Sequence, residues 1–147
     1  MELKQLYQEI ILDHAKNPRN KGKCENYNHD AKAHNSLCGD KVHIYLNLDK
    51  DKNIKGASFE GEGCAISLAS ASILTDTLKG RDLTFTKNVT NDFLNMLKNK
   101  SKITLNSLSE DQITTINSLS GVREFPMRIK CATMAWHALL SAIEKNN

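Results

Sequence analysis

Apolar residues recur at Leu3, Leu6, Tyr7, Ile10 and Ile11, with His14 following on or beside the same face. That spacing predicts an amphipathic helix over residues 2–16, ended before Pro18 because a proline ring disfavours a helical Asn17. A lone histidine on such a face is expected to be a packed, hydrogen-bonded side chain rather than a ligand. After a polar loop, Val42, Ile44, Leu46 and Leu48 alternate with His43, Tyr45 and Asn47. This is the period of a strand with one buried face, and it aims His43 away from the core. Asp49–Asn53 forms a polar turn, and Ile54, Ala57 and Phe59 predict a returning antiparallel strand that runs into Glu60-Gly61-Glu62-Gly63. Tyr27–Asn35 is a candidate third strand with weak alternation.

From Cys64 the period becomes helical. Ala65, Ile66, Leu68, Ala69, Ile73, Leu74 and Leu78 nearly encircle a segment that stops at Lys79-Gly80, so this helix should be buried, with small residues that admit a neighbouring backbone. Over residues 81–120 the pattern is faint. Ser109-x-x-Gln112 is a capping box flanked by a Leu108/Ile113 staple, and it predicts a short helix at 110–118. Ala132, Ala135, Trp136, Leu139, Leu140 and Ile143 form the stripe of a closing helix with Cys131 in its first turn. The expectation is an α+β fold in which a small antiparallel sheet of about three strands packs against helices. With no linker or internal repeat, residues 1–147 should make a single domain.

Charge and composition narrow the function more than the fold. Twenty Lys+Arg against 17 Asp+Glu give a net charge of +3, and 25% of residues are charged. The cations are scattered and aromatic residues few, which argues against a nucleic-acid surface; the cluster Lys16, Arg19, Lys21, Lys23 reads as a solvated turn. The longest uncharged runs, Cys64–Thr75 and Cys131–Ile143, are too short to span a membrane, and the first residues lack the pattern of a signal peptide. A cytoplasmic location is expected, where thiols are more often metal ligands or nucleophiles than disulfides.

Four cysteines thus become the main functional clue. Cys38-Gly39-Asp40 sets a soft thiolate and a hard carboxylate around a glycine that lets both face one point. Cys64 follows two glycines and opens a helix, and Cys131 lies near the start of another, where helix N-termini favour thiolates. A buried free cysteine is ordinarily just a small hydrophobe. Three at element junctions, one beside a carboxylate, point instead to a joint metal or sulfur site, with Cys24 left structural. His137 lies about 120° around and roughly 9 Å along a helix from Cys131, so the two cannot easily share a metal. The long spacings and the absence of a C-x-x-C pair leave the chemistry open at this level and disfavour a thiol oxidoreductase.

Four blocks carry a more specific signal: Asp13-His14 through Asn17-Pro18-Arg19-Asn20, Cys38-Gly39-Asp40, Gly61-Glu62-Gly63-Cys64-Ala65-Ile66-Ser67, and Pro126-Met127-Arg128-Ile129-Lys130-Cys131. In this order the sequence resembles the U-type iron-sulfur cluster assembly proteins of the SufU/IscU/NifU kind. It looks most like the SufU branch, because the gap before Cys131 is long and Lys130 stands where the IscU branch carries His. Ala15 replaces a usual Tyr, and Ser36 a common Pro.

The resemblance implies a metal site of Cys38, Asp40, Cys64 and Cys131, which suits tetrahedral zinc, with Arg128 and Lys130 offsetting its negative charge. It further implies that Cys38 is the catalytic thiol, accepting persulfide sulfur from a SufS-like cysteine desulfurase and passing it to downstream iron-sulfur assembly proteins. The chain would then be a sulfurtransferase-like partner rather than a stand-alone enzyme. The alternatives are a scaffold that builds a transient 2Fe-2S cluster on the same ligands, and a structural zinc domain that binds protein.

Overall fold

A computed structural model describes residues 2–99, 101–103, 105 and 107–145. Helix α1 (Leu3–Lys16) leads through a loop into β1 (His29–Asn35), β2 (Asp40–Leu48) and β3 (Ile54–Glu62). Helices α2 (Ala65–Leu78), α3 (Leu83–Asn99) and α4 (Glu110–Asn117) follow, then a 3-10 turn over Ser118–Glu124 and the closing helix α5 (Pro126–Lys145). The strands form one antiparallel sheet in the order β1-β2-β3. This is the α+β architecture expected, including the third strand. The alternation of β1 is muted because its inward residues Ala31 and Ala33, opposite Ile44 and Val42, are small.

Ile44, Leu46 and Phe59 are fully buried on the inner face of the sheet, against α2 and α5. On the outer face His43 points away from the core as expected. Its Nε2 lies 2.6 Å from Asp30 Oδ2, its Nδ1 lies 2.9 Å from the Tyr45 hydroxyl, and that hydroxyl donates in turn to Glu60. Burial, reinforced by the bond to Glu60, pushes Tyr45 up to about 12.

The α2 helix is almost wholly buried, and its serines connect the molecule. Ser72 Oγ lies 2.7 Å from His14 Nδ1 and accepts from the Arg19 N–H at 2.8 Å. His14 is therefore a packed side chain, and burial holds it below the usual histidine range. Arg19 is not merely solvated; its guanidinium meets Asp13 at 2.7 Å. Ser70 Oγ donates to the Ala132 carbonyl at 2.5 Å and accepts from Trp136 Nε1 at 2.9 Å, the close backbone approach that small residues allow.

Two sequence expectations need correction. Residues 83–99, left without an element, form a long helix whose buried face is Phe85, Thr86, Val89, Thr90, Phe93, Met96 and Leu97. Threonine occupies two of its inward positions, each hydroxyl returning to the carbonyl four residues back, and this hides the apolar period. In addition α5 begins at Pro126, so Cys131 lies in its second turn rather than its first. Proline is well suited to the first helical position, where its missing N–H leaves nothing unpaired. The predicted helix at 110–118 is present as α4, with both halves of the capping box made: Gln112 N–H to Ser109 Oγ at 3.1 Å and Ser109 N–H to Gln112 Oε1 at 2.9 Å. Among the described residues, no helix is long and apolar enough to cross a membrane.

Candidate metal centre

The β1–β2 turn, the β3–α2 junction and the second turn of α5 meet at one end of the sheet. Asp40, the first residue of β2, is completely buried, and its Oδ1 accepts from the Cys64 N–H at 2.8 Å. That bond orients the carboxylate and leaves Oδ2 3.6 Å from Cys64 Sγ. Cys64 stands at the N-cap of α2, the helix-opening position read from sequence. Cys38 sits exposed in the turn, its N–H bound to the Asn35 carbonyl at 3.2 Å, with its Sγ 3.7 Å from Cys131 Sγ.

One ligand atom each from Cys38, Asp40 and Cys131 lies within 4.8 Å of the others. A buried carboxylate with thiols converging on it is a donor set that can hold a metal ion. Cys64 adjoins it through Asp40. Cys24 lies elsewhere, packed near Gly56, and His137 is outside the cluster.

Arg128 and Lys130 part company here. Arg128 is three residues before Cys131, on the same side of α5, and its guanidinium is held further toward the charged form by the charge of Cys64 and by a hydrogen bond that it donates to Cys131 Sγ. Lys130 is exposed and lines a separate cavity with His34 and His137. Burial, with hydrogen bonds to Asp40 and Cys38, pushes the Cys131 thiol well up. Its place in the second turn removes the helix-terminus stabilisation expected for it.

Comparison with known proteins gives this geometry a lineage. The sequence profile described as NifU-like N terminal domain matches residues 6–132. The chain belongs to the SufU/IscU/NifU family of iron-sulfur cluster assembly proteins. It is 41% identical over 140 residues to the zinc-dependent sulfurtransferase SufU of Bacillus subtilis, covering 95% of this chain and 90% of that one. It is 33% identical over 145 residues to the iron-sulfur cluster assembly scaffold protein IscU of Streptococcus pyogenes, covering 99% and 87%. Among solved structures, a putative iron-sulfur cluster assembly scaffold protein of Fervidobacterium islandicum is 30% identical with a TM-score of 0.81, covering 95% of this chain and 98% of that one. As a family member, this is a protein of iron-sulfur cluster biogenesis with a Cys-Asp-Cys site suited to a metal.

Two residues that shape the site were missed. Asn35 is buried, donates from Nδ2 to Cys131 Sγ at 3.7 Å and accepts the Leu37 N–H on Oδ1 at 3.2 Å. The Asn-Ser-Leu-Cys stretch is a recognisable Asx-turn signal, but nothing in it foretells the sulfur 96 residues away. Gly63 has φ +147°, and a Cβ there would fall within 2.8 Å of Asp40 Cγ. The family block Gly61-Glu62-Gly63-Cys64 thus contains a glycine whose lack of a side chain makes room for the buried carboxylate.

Proposed function

We propose that the protein is a zinc-dependent sulfurtransferase that takes persulfide sulfur from a cysteine desulfurase on Cys38 and passes it to downstream iron-sulfur assembly proteins. The observation that carries this reading is an exposed Cys38 thiol belonging to a cluster otherwise made of buried or half-buried groups. Tetrahedral zinc bound by thiolates and a carboxylate requires ligand atoms about 3.5–3.8 Å apart. The 3.7 Å between the Cys38 and Cys131 sulfurs and the 3.6 Å from Cys64 Sγ to Asp40 Oδ2 fit those edges. Cys38, Asp40, Cys64 and Cys131 would hold the ion. Zinc in this setting would keep the thiols deprotonated at neutral pH and mask Cys38 until a partner docks.

Arg128 offsets the negative charge of the site from the Cys64 and Cys131 side. Cys38, once free, attacks the terminal sulfur of the desulfurase persulfide. A new S–S bond forms on Cys38, the old one breaks, and its electron pair leaves on the desulfurase thiolate, with no net oxidation. Exposed Leu37, just before Cys38, and exposed Phe125 and Met127, within three residues of Arg128, offer that partner an apolar surface. The name of the Bacillus subtilis relative supports this reading, while that of the Streptococcus pyogenes relative favours a second: a scaffold that assembles a 2Fe-2S cluster on the same side chains.

Native mass spectrometry before and after incubation with a cysteine desulfurase and cysteine, with peptide mapping, tests the proposal. One zinc per chain and added sulfur mapping to Cys38, lost in Cys38→Ala, is the expected result. A two-iron, two-sulfide adduct without zinc would install the scaffold instead, and zinc that never exchanges with no sulfur uptake would leave a structural domain.

A further inference from the structure

Beside the thiol cluster, between β1 and the outer side of α5, lies a cavity of about 420 Å³. His34, Lys130 and His137 contribute its basic side chains, Leu37 and Met134 its apolar ones, and no carboxylate lines it among the described residues. Lys130 and His137 are seven residues apart on α5 and so project from one side of the helix, facing His34 across the cavity. Asp40, paired with Asn35 across β1 and β2, turns its carboxylate to Cys64 and does not line the cavity, and Glu62 farther along the sheet is engaged by Lys41 at 3.9 Å.

The cavity also shares a wall with the reacting thiol. Asn35 lines it while accepting the Cys38 N–H and donating to Cys131 Sγ, and Leu37 is the residue just before Cys38. A volume of this size suits a small metabolite, and a basic lining with an apolar floor selects an anionic one with a short alkyl chain.

We infer that this cavity binds the carboxylate of a small thiol and presents its sulfur to Cys38 as an acceptor of the transferred sulfur. The inference rests on the sulfurtransferase reading and names a substrate class for it. The acceptor thiol loses its proton to solvent, and its thiolate attacks the terminal sulfur of the Cys38 persulfide. One S–S bond forms to the small thiol, the Cys38 S–S bond breaks, and its electron pair returns to Cys38 Sγ, so electrons balance without an oxidant.

The test uses the zinc-loaded protein carrying sulfur on Cys38, freed of desulfurase, with loss of one sulfur mass followed by intact-protein mass spectrometry. The probes are 3-mercaptopropionate and 2-mercaptoethanol, compared per thiolate. The carboxylate thiol is expected to strip the sulfur about fivefold faster, the worth of one or two exposed charge-assisted contacts. That ratio should fall to about one in His34→Glu and in His137→Glu, which set a carboxylate among the basic groups. A defect in folding changes both rates together and leaves the ratio intact, so the ratio reports recognition alone.

A ratio near one in the parent, or one that survives both substitutions, overturns the inference; a cavity that serves a protein segment instead would give the first of these. If no sulfur reaches Cys38, the sulfurtransferase reading has failed and the cavity is judged by binding alone. Titration with unreactive 3-(methylthio)propionate should then shift the His34 and His137 ring resonances saturably, and the absence of such shifts overturns the site itself.

Discussion

The thiol centre and the helical block of α3, α4 and the 3-10 turn are held in opposite ways. In the block, Phe93 stacks on Trp136 with centroids 4.2 Å apart and planes 13° apart, and Val89, Met96, Ile116 and Leu119 are fully buried around them. Its polar side chains mostly return to nearby backbone: Thr86 and Thr90 bond within α3, Ser109 caps α4, Asn117 clasps the backbone of Ile103 at 3.0 and 3.2 Å, and Arg123 reaches the Met96 and Ser101 carbonyls. The centre instead depends on direction, through the Cys64 N–H on Asp40, Asn35 on Cys131, Arg128 on two sulfurs, and a glycine where a methyl would not fit. Apolar burial is non-directional and tolerates exchange of similar volumes, whereas hydrogen bonds and ligands tolerate little displacement. Stability and chemistry should therefore be separable by mutation.

The largest effect expected is on the block. Phe93→Ala should cost about 3–5 kcal/mol in chemical denaturation, as for other fully buried aromatics, while zinc bound per folded chain stays the same. Loss of zinc from the folded fraction would break the comparison. Gly63→Ala should do the reverse. By displacing the Asp40 carboxylate it should weaken zinc about 10–100-fold in competition with a chromogenic chelator, the usual effect of disturbing what orients a ligand. An affinity equal to the parent's would show that Asp40 is not held by this glycine.

Smaller effects sharpen the contrast. Ser109→Ala removes the α4 cap, far from the thiols, and should lower stability by about 1 kcal/mol with zinc affinity unchanged. A calorimetric scan would detect it. The least effect concerns acid. Burial lowers His14, and burial with nearby Lys52 lowers His29, from the 6.5 of an unperturbed histidine. Just below that pH the unfolded chain binds more protons than the folded one. Stability is therefore complete at neutral pH and declines on acidification until the folded-state values are passed. His14→Gln should flatten part of this decline, and an unaltered profile would remove His14 from the account.

Legibility followed the same division. Strand β2 was readable because Val42, Ile44 and Leu46 are large and alternate with polar residues, and α4 because its cap is a local hydrogen-bond pattern. The face of α3 was obscured by inward Thr86 and Thr90, which are polar in sequence yet satisfied within their own helix. At the site, the three cysteines and Asp40 were visible as residue types at element junctions, and the family resemblance joined them. Asn35 and Gly63 were not singled out, since their partners Cys131 and Asp40 are distant in sequence and only the folded chain brings them together.

By itself the sequence determined the local elements: the period-two hairpin, the small-residue helix opened by Cys64, the capping box, and the thiols as the chemistry-bearing groups. Tertiary structure alone decided how those groups are shared out. Starting α5 at Pro126 puts Arg128 and Cys131 on one side and turns Lys130 toward His34, because successive helical residues rotate by about 100° and two steps carry a side chain to the opposite face. Where a helix begins is a local property, but what each of its faces meets depends on packing against β1 and α2, which no stretch of α5 encodes alone.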